Sequence, residues 1–162
     1  MPQLDYRAFT VSWRFRFDPT DHEWPHATTR RTWRRQNLIT GGTSHRWLII
    51  SRGLSKKLNI AFNNDNVGIE LPDVELPEGV WMRIACSFDL ADRRRMLVML
   101  DGRKVADIEL PEGFSLKVFG SKAEVTDRLF TFTNYSSGQT FAGQIDDLTV
   151  YPRAMSEEEL AR

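Results

Sequence analysis

Phe9-Thr-Val-Ser-Trp-Arg-Phe-Arg-Phe17 alternates without a break: each odd position is apolar and each even one is Thr, Ser or Arg. A period of two is the mark of a β-strand with one dry face and one wet face. The same reading predicts further strands at 36–40, 45–51, 57–62, 67–71, 80–88, 95–100, 103–110, 127–133 and 140–151. Turn clusters fall between them, at Gly41-Gly42, Asn63-Asn-Asp-Asn66, Asp101-Gly102 and Ser136-Ser-Gly138. Asp101-Gly102, set between two apolar runs, is a strong signal for a two-residue hairpin. About ten short strands at this spacing describe an antiparallel sandwich.

The ends of elements carry their own signals. Leu-Pro-Glu-Gly occurs at 76–79 and again at 110–113. Proline cannot donate to a ladder and glycine permits a reversed backbone, so both copies should terminate strands. Only the C-terminus reads as helix: Ser156-Glu-Glu-Glu159 is a capping box, with acids that suit the positive end of the helix dipole. The turn that follows is too short to stand alone, so it must dock on the sandwich or lead into a further segment. The irregular stretch 18–35, first Pro- and His-containing and then Arg-rich, reads as a long loop.

Composition excludes several classes. The 162 residues suit one domain spanning 1–162, and 41% hydrophobic content is globular rather than disordered. The longest apolar run, Met96–Leu100, has five residues where a membrane helix needs roughly 20, so no membrane insertion is expected. Asp5, Arg7, Arg14, Arg16 and Asp18 rule out a signal-peptide core in the first twenty residues. The single cysteine, Cys86, lies in an apolar strand and reads as a buried small hydrophobe. Basic and acidic residues number 22 each, yet residues 1–60 carry a balance of +7 and residues 61–162 one of −7. With zero net charge and no reader motif, specific nucleic-acid binding is not expected.

Three segments together resemble a known family. Trp81-Met-Arg-Ile-Ala-Cys-Ser-Phe-Asp89, followed by Leu97-Val-Met-Leu-Asp-Gly102, is similar to the paired central strands of laminin-G-like domains. The stretch from Gly143 to Leu160 is similar to the family's last strand and terminal turn. These domains belong to the concanavalin A-like lectin/glucanase superfamily, and the likeness runs from about Phe9 to Leu160. It implies an all-β, concanavalin A-like jelly-roll sandwich of two antiparallel sheets, found among lectins, carbohydrate-binding modules, adhesion domains, glycosidases and lyases. It also implies an extracellular or periplasmic setting. Residues 18–35 depart from the family pattern as a loop insertion, where a function particular to this chain is best placed.

The chemistry can then be tested against the residues. The glucanase branch of the superfamily carries its acids as Glu-x-Asp-x-x-Glu or a close variant. The nearest stretch here, Glu70-Leu-Pro-Asp-Val-Glu75, has them at offsets 0, 3 and 5, which splits them between strand faces. Pro72 argues further against a continuous central strand. His22-Glu-Trp-Pro-His26 spells a zinc-protease pattern, but Pro25 breaks the helix that the pattern requires. Catalysis is therefore not expected. The resemblance implies that the last strand offers an aspartate to a structural calcium. Asp146 matches that position and shares strand parity with Leu148 and Val150, so it is expected to point inward. The alternative is that Asp146 only accepts backbone hydrogen bonds.

The basic segment suggests a ligand. Trp24, Arg30, Arg31, Trp33, Arg34 and Arg35 combine guanidinium forks, which grip carboxylate or sulfate, with indoles that stack on sugars. The expected function is a non-catalytic binding module for a polysaccharide or other glycan, acidic in character. A protein-adhesion module is the alternative, and a glycoside hydrolase or polysaccharide lyase relative is the second.

Overall fold

The computed structural model describes residues 7–19, 35–41, 48–53, 56–62, 67–110, 130–131, 141 and 143–162. Ten strands and one helix follow in order: β1 (Ala8–Phe17), β2 (Arg35–Gly41), β3 (Leu48–Gly53), β4 (Lys57–Phe62), β5 (Val67–Glu75), β6 (Met82–Asp89), β7 (Arg95–Leu100), β8 (Arg103–Glu109), β9 (Phe130–Thr131), β10 (Gly143–Tyr151) and α1 (Glu157–Leu160). They form two five-stranded sheets, ordered β10-β1-β6-β7-β8 and β5-β4-β3-β2-β9. Each strand pairing with a defined register is antiparallel. The chain divides into two compact units, residues 1–16, 80–116 and 143–162 in one and 17–79 with 117–142 in the other.

In the first unit the alternation read from β1 sets the register. Phe9 stands opposite Phe88, Val11 opposite Cys86 and Trp13 opposite Ile84, and all six are fully buried. Cys86 in turn faces Val98 across β7. Burial raises its thiol pKa far above the ordinary cysteine value, so it stays a neutral, inert hydrophobe. Phe9 and Phe88 stack with ring centroids 4.6 Å apart. Between β7 and β8, Asp101 and Gly102 both take positive φ, 48° and 73°, the backbone of a type I′ hairpin. Only residues without a strong penalty in that region fit, which is why the pair reads so clearly from sequence.

The other face of β1 departs from expectation. Thr10 and Ser12 fall on the wet side of the alternation, yet both are buried. The C-terminal segment covers this end of the sheet. Thr10 Oγ1 donates to the Arg153 carbonyl at 3.0 Å, and Ser87 Oγ donates to the Met155 carbonyl at 2.9 Å. The Met155 N–H lies within reach of both hydroxyls, at 3.1 and 2.8 Å. Leu160 of α1 and Met155 then pack on Ala85, Leu97 and Met99, a second small core on the outer side of the sheet. The capping box is complete, with Ser156 Oγ accepting from the Glu159 N–H and the Glu159 carboxylate accepting from the Ser156 N–H. The helix therefore docks on its own sheet.

In the second unit Phe17, Leu38, Ile50, Leu58, Ile60, Leu76 and Phe141 are buried. Here β5 runs on through Pro72, where a stop was expected. Leu58 pairs with Leu71 while Lys57 pairs with Glu75, so residues 72–74 bulge out of the ladder. A bulge on a strand at the edge of its sheet is where proline is tolerated. Gly79 takes φ +74° and its N–H donates to the Phe17 carbonyl, so the first Leu-Pro-Glu-Gly copy does turn the chain. Leu110, opening the second copy, follows the end of β8 and is buried.

Candidate functional site

Most of the residues expected to bind ligand lie outside the described structure. Trp24, Arg30, Arg31, Trp33 and Arg34 fall there, as do His22 to His26, and so does the side chain of Arg35. The Arg35 backbone opens β2, opposite Gly53. Of the acids in the glucanase-like stretch, Asp73 is exposed and Glu75, also exposed, pairs with Lys57 at 3.1 Å.

Asp146 does not point inward. It is exposed, and so are Leu148 at 47% and Val150 at 40%, the residues whose burial was to have carried it into a core. The strand alternation breaks at Asp147, whose φ is +51°. Asp146 Oδ1 accepts the Asp147 N–H at 2.9 Å, a local turn of the kind aspartate favours. Among the described residues no group of three or more His, Cys, Asp or Glu is placed to hold a metal.

Two features of the first unit's outer surface are the candidates for binding. The first is a groove of about 410 Å³ beneath the C-terminal segment, lined by Asp89, Arg93, Arg95, Asp107, Met155 and Glu157 among others. Its charges are matched within the molecule. Arg95 makes a two-pronged pair with Asp107, Lys104 pairs with Glu157, and Arg153 grips Glu159 through both terminal nitrogens. The Arg95 hydrogen bonds hold the Asp107 carboxyl below the usual carboxylate range. Arg153, with the Ser156 N–H second, lowers Glu159 from 4.5 to about 2. Lys104–Glu157 ties the C-terminal segment to the sheet, Arg95–Asp107 lies within the sheet and Arg153–Glu159 within the segment, and the groove is the seam between sheet and segment.

The second feature gathers several guanidiniums on one face. Antiparallel pairing sets Arg14 directly opposite Arg83, with Phe15 and Met82 as the next, buried, pair. Arg16 and Trp81 come one step further along the two chains. The guanidiniums of Arg14 and Arg16 lie 5.2 and 5.6 Å from the Trp81 ring centroid, within cation–π range. Arg83 Nε donates to Ser12 Oγ at 3.2 Å. From β10, Asp147 reaches Arg14 at 3.5 Å, with both side chains well exposed. Three arginines and a tryptophan thus share one outward surface.

Half of this cluster is legible in the sequence, because the alternation of 9–17 already puts Arg14 and Arg16 on the wet face. The β1–β6 register that adds Trp81 and Arg83, some seventy positions away, is not.

Comparison with known proteins fits this architecture. The family model described as concanavalin A-like lectin/glucanases superfamily, a laminin-G type, matches residues 2–161. No curated protein matches the chain by sequence. Among solved structures, the CBM40 module of a Ruminococcus gnavus IT-sialidase bound to α2,3-sialyllactose has a TM-score of 0.67 and 13% identity, covering 96% of this chain and 82% of that one. A heptameric SAP-like pentraxin from Limulus polyphemus has a TM-score of 0.63 and 15% identity, covering 96% and 69%. A leech intramolecular trans-sialidase has a TM-score of 0.66 and 18% identity, covering 96% of this chain but 23% of the enzyme. The chain belongs to the concanavalin A-like lectin/glucanase superfamily, and its fold is of that all-β jelly-roll class.

Proposed function

We propose, from membership of this superfamily, that the chain is a non-catalytic carbohydrate-binding module of a protein working outside the cell or in the periplasm. The observation that carries this reading is the likeness to the R. gnavus CBM40 module, a sialyllactose-bound domain matched over most of both lengths. The trans-sialidase, by contrast, is matched over less than a quarter of its own chain, so its activity does not transfer with the fold. The spacing of Glu70, Asp73 and Glu75, with Glu75 engaged by Lys57, supports the absence of a glucanase-type acid pair. The segment holding Trp24, Arg30, Arg31, Trp33, Arg34 and Arg35 belongs to the proposal as one ligand-contacting region.

A glycan array tests the reading, read alongside reducing-end and lyase assays on a polysaccharide panel. Binding without turnover is the expected result. An array without a single bound glycan would remove the proposal, as would turnover abolished by Glu75→Gln. Calcium is a separate proposal at Asp146: one exposed carboxylate would need ~5–7 further oxygens from carbonyls and water. A melting midpoint raised by calcium and returned by Asp146→Asn supports it, and a midpoint indifferent to calcium and chelator ends it.

A further inference from the structure

We propose that the outward face of β1 and β6 centred on Arg14, Arg83, Arg16 and Trp81 is a binding site for the anionic groups of an acidic polysaccharide, its carboxylates or sulfates. The inference rests on the carbohydrate-binding reading and gives it a place and a ligand class. Like charges directly opposite each other across an antiparallel pair are destabilising. The Arg14–Arg83 pair carries that cost one step from the end of the β1–β6 ladder. For these two guanidiniums the counter-charge is thin: Asp147 meets Arg14 at 3.5 Å and is 65% exposed, while Asp101 Oδ1 accepts the Arg83 backbone N–H. Arg83 spends its Nε on the neutral hydroxyl of Ser12.

An arriving anion would relieve the repulsion, since guanidinium forks pair with carboxylate or sulfate through two parallel hydrogen bonds. The Cβ atoms of directly opposite and diagonal positions on neighbouring strands stand roughly 5–8 Å apart, a spacing from which long side chains can reach separate anionic groups. Trp81 is a positioning residue. Its ring lies within cation–π distance of both Arg14 and Arg16, which limits the rotamer freedom that two long side chains would otherwise lose on binding. The groove beneath the C-terminal segment suits a polyanion less, because Asp107 holds Arg95 two-pronged and Asp89, Glu157, Glu158 and Glu159 line it as well. Charge complementarity selects a polyanion. The compactness of the cluster and zero net charge of the chain favour a glycan over nucleic acid, whose binding draws on extended basic stripes.

Affinity for heparin and alginate oligosaccharides, with neutral dextran oligosaccharides and a DNA oligonucleotide as comparisons, provides the test. Binding to one of the acidic glycans should weaken ten-fold or more in Arg14→Ala/Arg83→Ala, with the melting midpoint unchanged or raised. Arg83→Lys should recover only part of it, since an ammonium keeps the charge and loses the fork. Trp81→Ala should weaken binding and shift the Arg14 and Arg16 Nε resonances, with Trp81→Phe restoring both in part. In the wild type, those resonances and that of Arg83 should move on titration with the bound oligosaccharide. If acidic glycans bind equally well after Arg14→Ala/Arg83→Ala but are lost when Arg30, Arg31, Arg34 and Arg35 are replaced, the site assignment fails and the carbohydrate-binding reading stands. Binding of neutral glycans alone, or of DNA more tightly than any glycan, also overturns the assignment. No glycan binding of any kind overturns both.

Discussion

Arg52 is 3% exposed, with its guanidinium 4.8 Å from the Phe17 ring centroid and one terminal nitrogen donating to Glu78 Oε1 at 3.0 Å. Its Nε, also buried, has no hydrogen-bond partner. Desolvating a charge costs several kcal/mol, and this one recovers the cost through a single carboxylate oxygen and a ring face. The asymmetry between the partners follows. Removing Glu78 strands a buried cation, so Glu78→Ala should lower unfolding stability by about 2–4 kcal/mol. Arg52→Met removes the cation and its unpaired Nε together while keeping the apolar stem against Phe17, and should cost less than about 1.5 kcal/mol. Urea denaturation of the two variants orders them, and an Arg52→Met penalty larger than that of Glu78→Ala would refute the account. In sequence Arg52 was one more cation in a basic run; only burial separates it from the solvated ones.

At the scale of elements, the strands follow from what each sequence signal contains. Period-two alternation located β1 to within a residue, and Asp101-Gly102 placed the β7–β8 turn, because both signals are local. Expectation and structure part where a distant segment or a break in the local backbone decides the environment. Thr10 is polar and yet buried, since its hydroxyl satisfies the backbone of the C-terminal segment, and Ser12, also buried, accepts from the Arg83 guanidinium of β6. Parity alone turns Asp146 inward, and a positive φ at Asp147 cancels that parity. The candidate site was legible to the same degree: Arg14 and Arg16 from alternation, Trp81 and Arg83 only from register. The docked terminus carries its own predictions. Leu160→Ala should cost about 2–3 kcal/mol if that outer core folds with the sheet, and Ser156→Ala about 1 kcal/mol through the lost cap. Glu159 adds a pH dependence. Its carboxyl is depressed from 4.5 to about 2, so its contribution is fully present above pH 4.5 and is lost as pH falls towards 2. Hydrogen exchange of the Ser156 and Met155 amides, taken relative to the intrinsic rate at each pH, should accelerate as pH falls across that window and be flat in Glu159→Gln. Acceleration of equal size in that variant would dissociate the effect from Glu159.

For the whole molecule, the charge asymmetry of the sequence does not survive folding. The +7 of residues 1–60 and the −7 of residues 61–162 are redistributed because each compact unit draws on early and late segments. One unit holds 11 basic and 12 acidic residues and the other 11 and 10, so each is close to neutral. Attraction of a polyanion must then come from local clusters such as Arg14–Arg83 and not from a polar molecule-wide field. The same interleaving bears on cooperativity. The chain passes between the units four times, and one of them is assembled from three separate stretches, including both ends of the sequence. Independent domains are ordinarily continuous and joined by one linker. Neither unit here is continuous, so losing one removes the chain constraints that close the other, and we expect residues 1–162 to melt as a single domain. Scanning calorimetry should give one transition, with a calorimetric enthalpy of about 110 kcal/mol, from ~0.7 kcal/mol per residue, equal to the van't Hoff value. Two resolved transitions, or a calorimetric enthalpy near twice the van't Hoff one, would mean that the units unfold separately despite their interleaving.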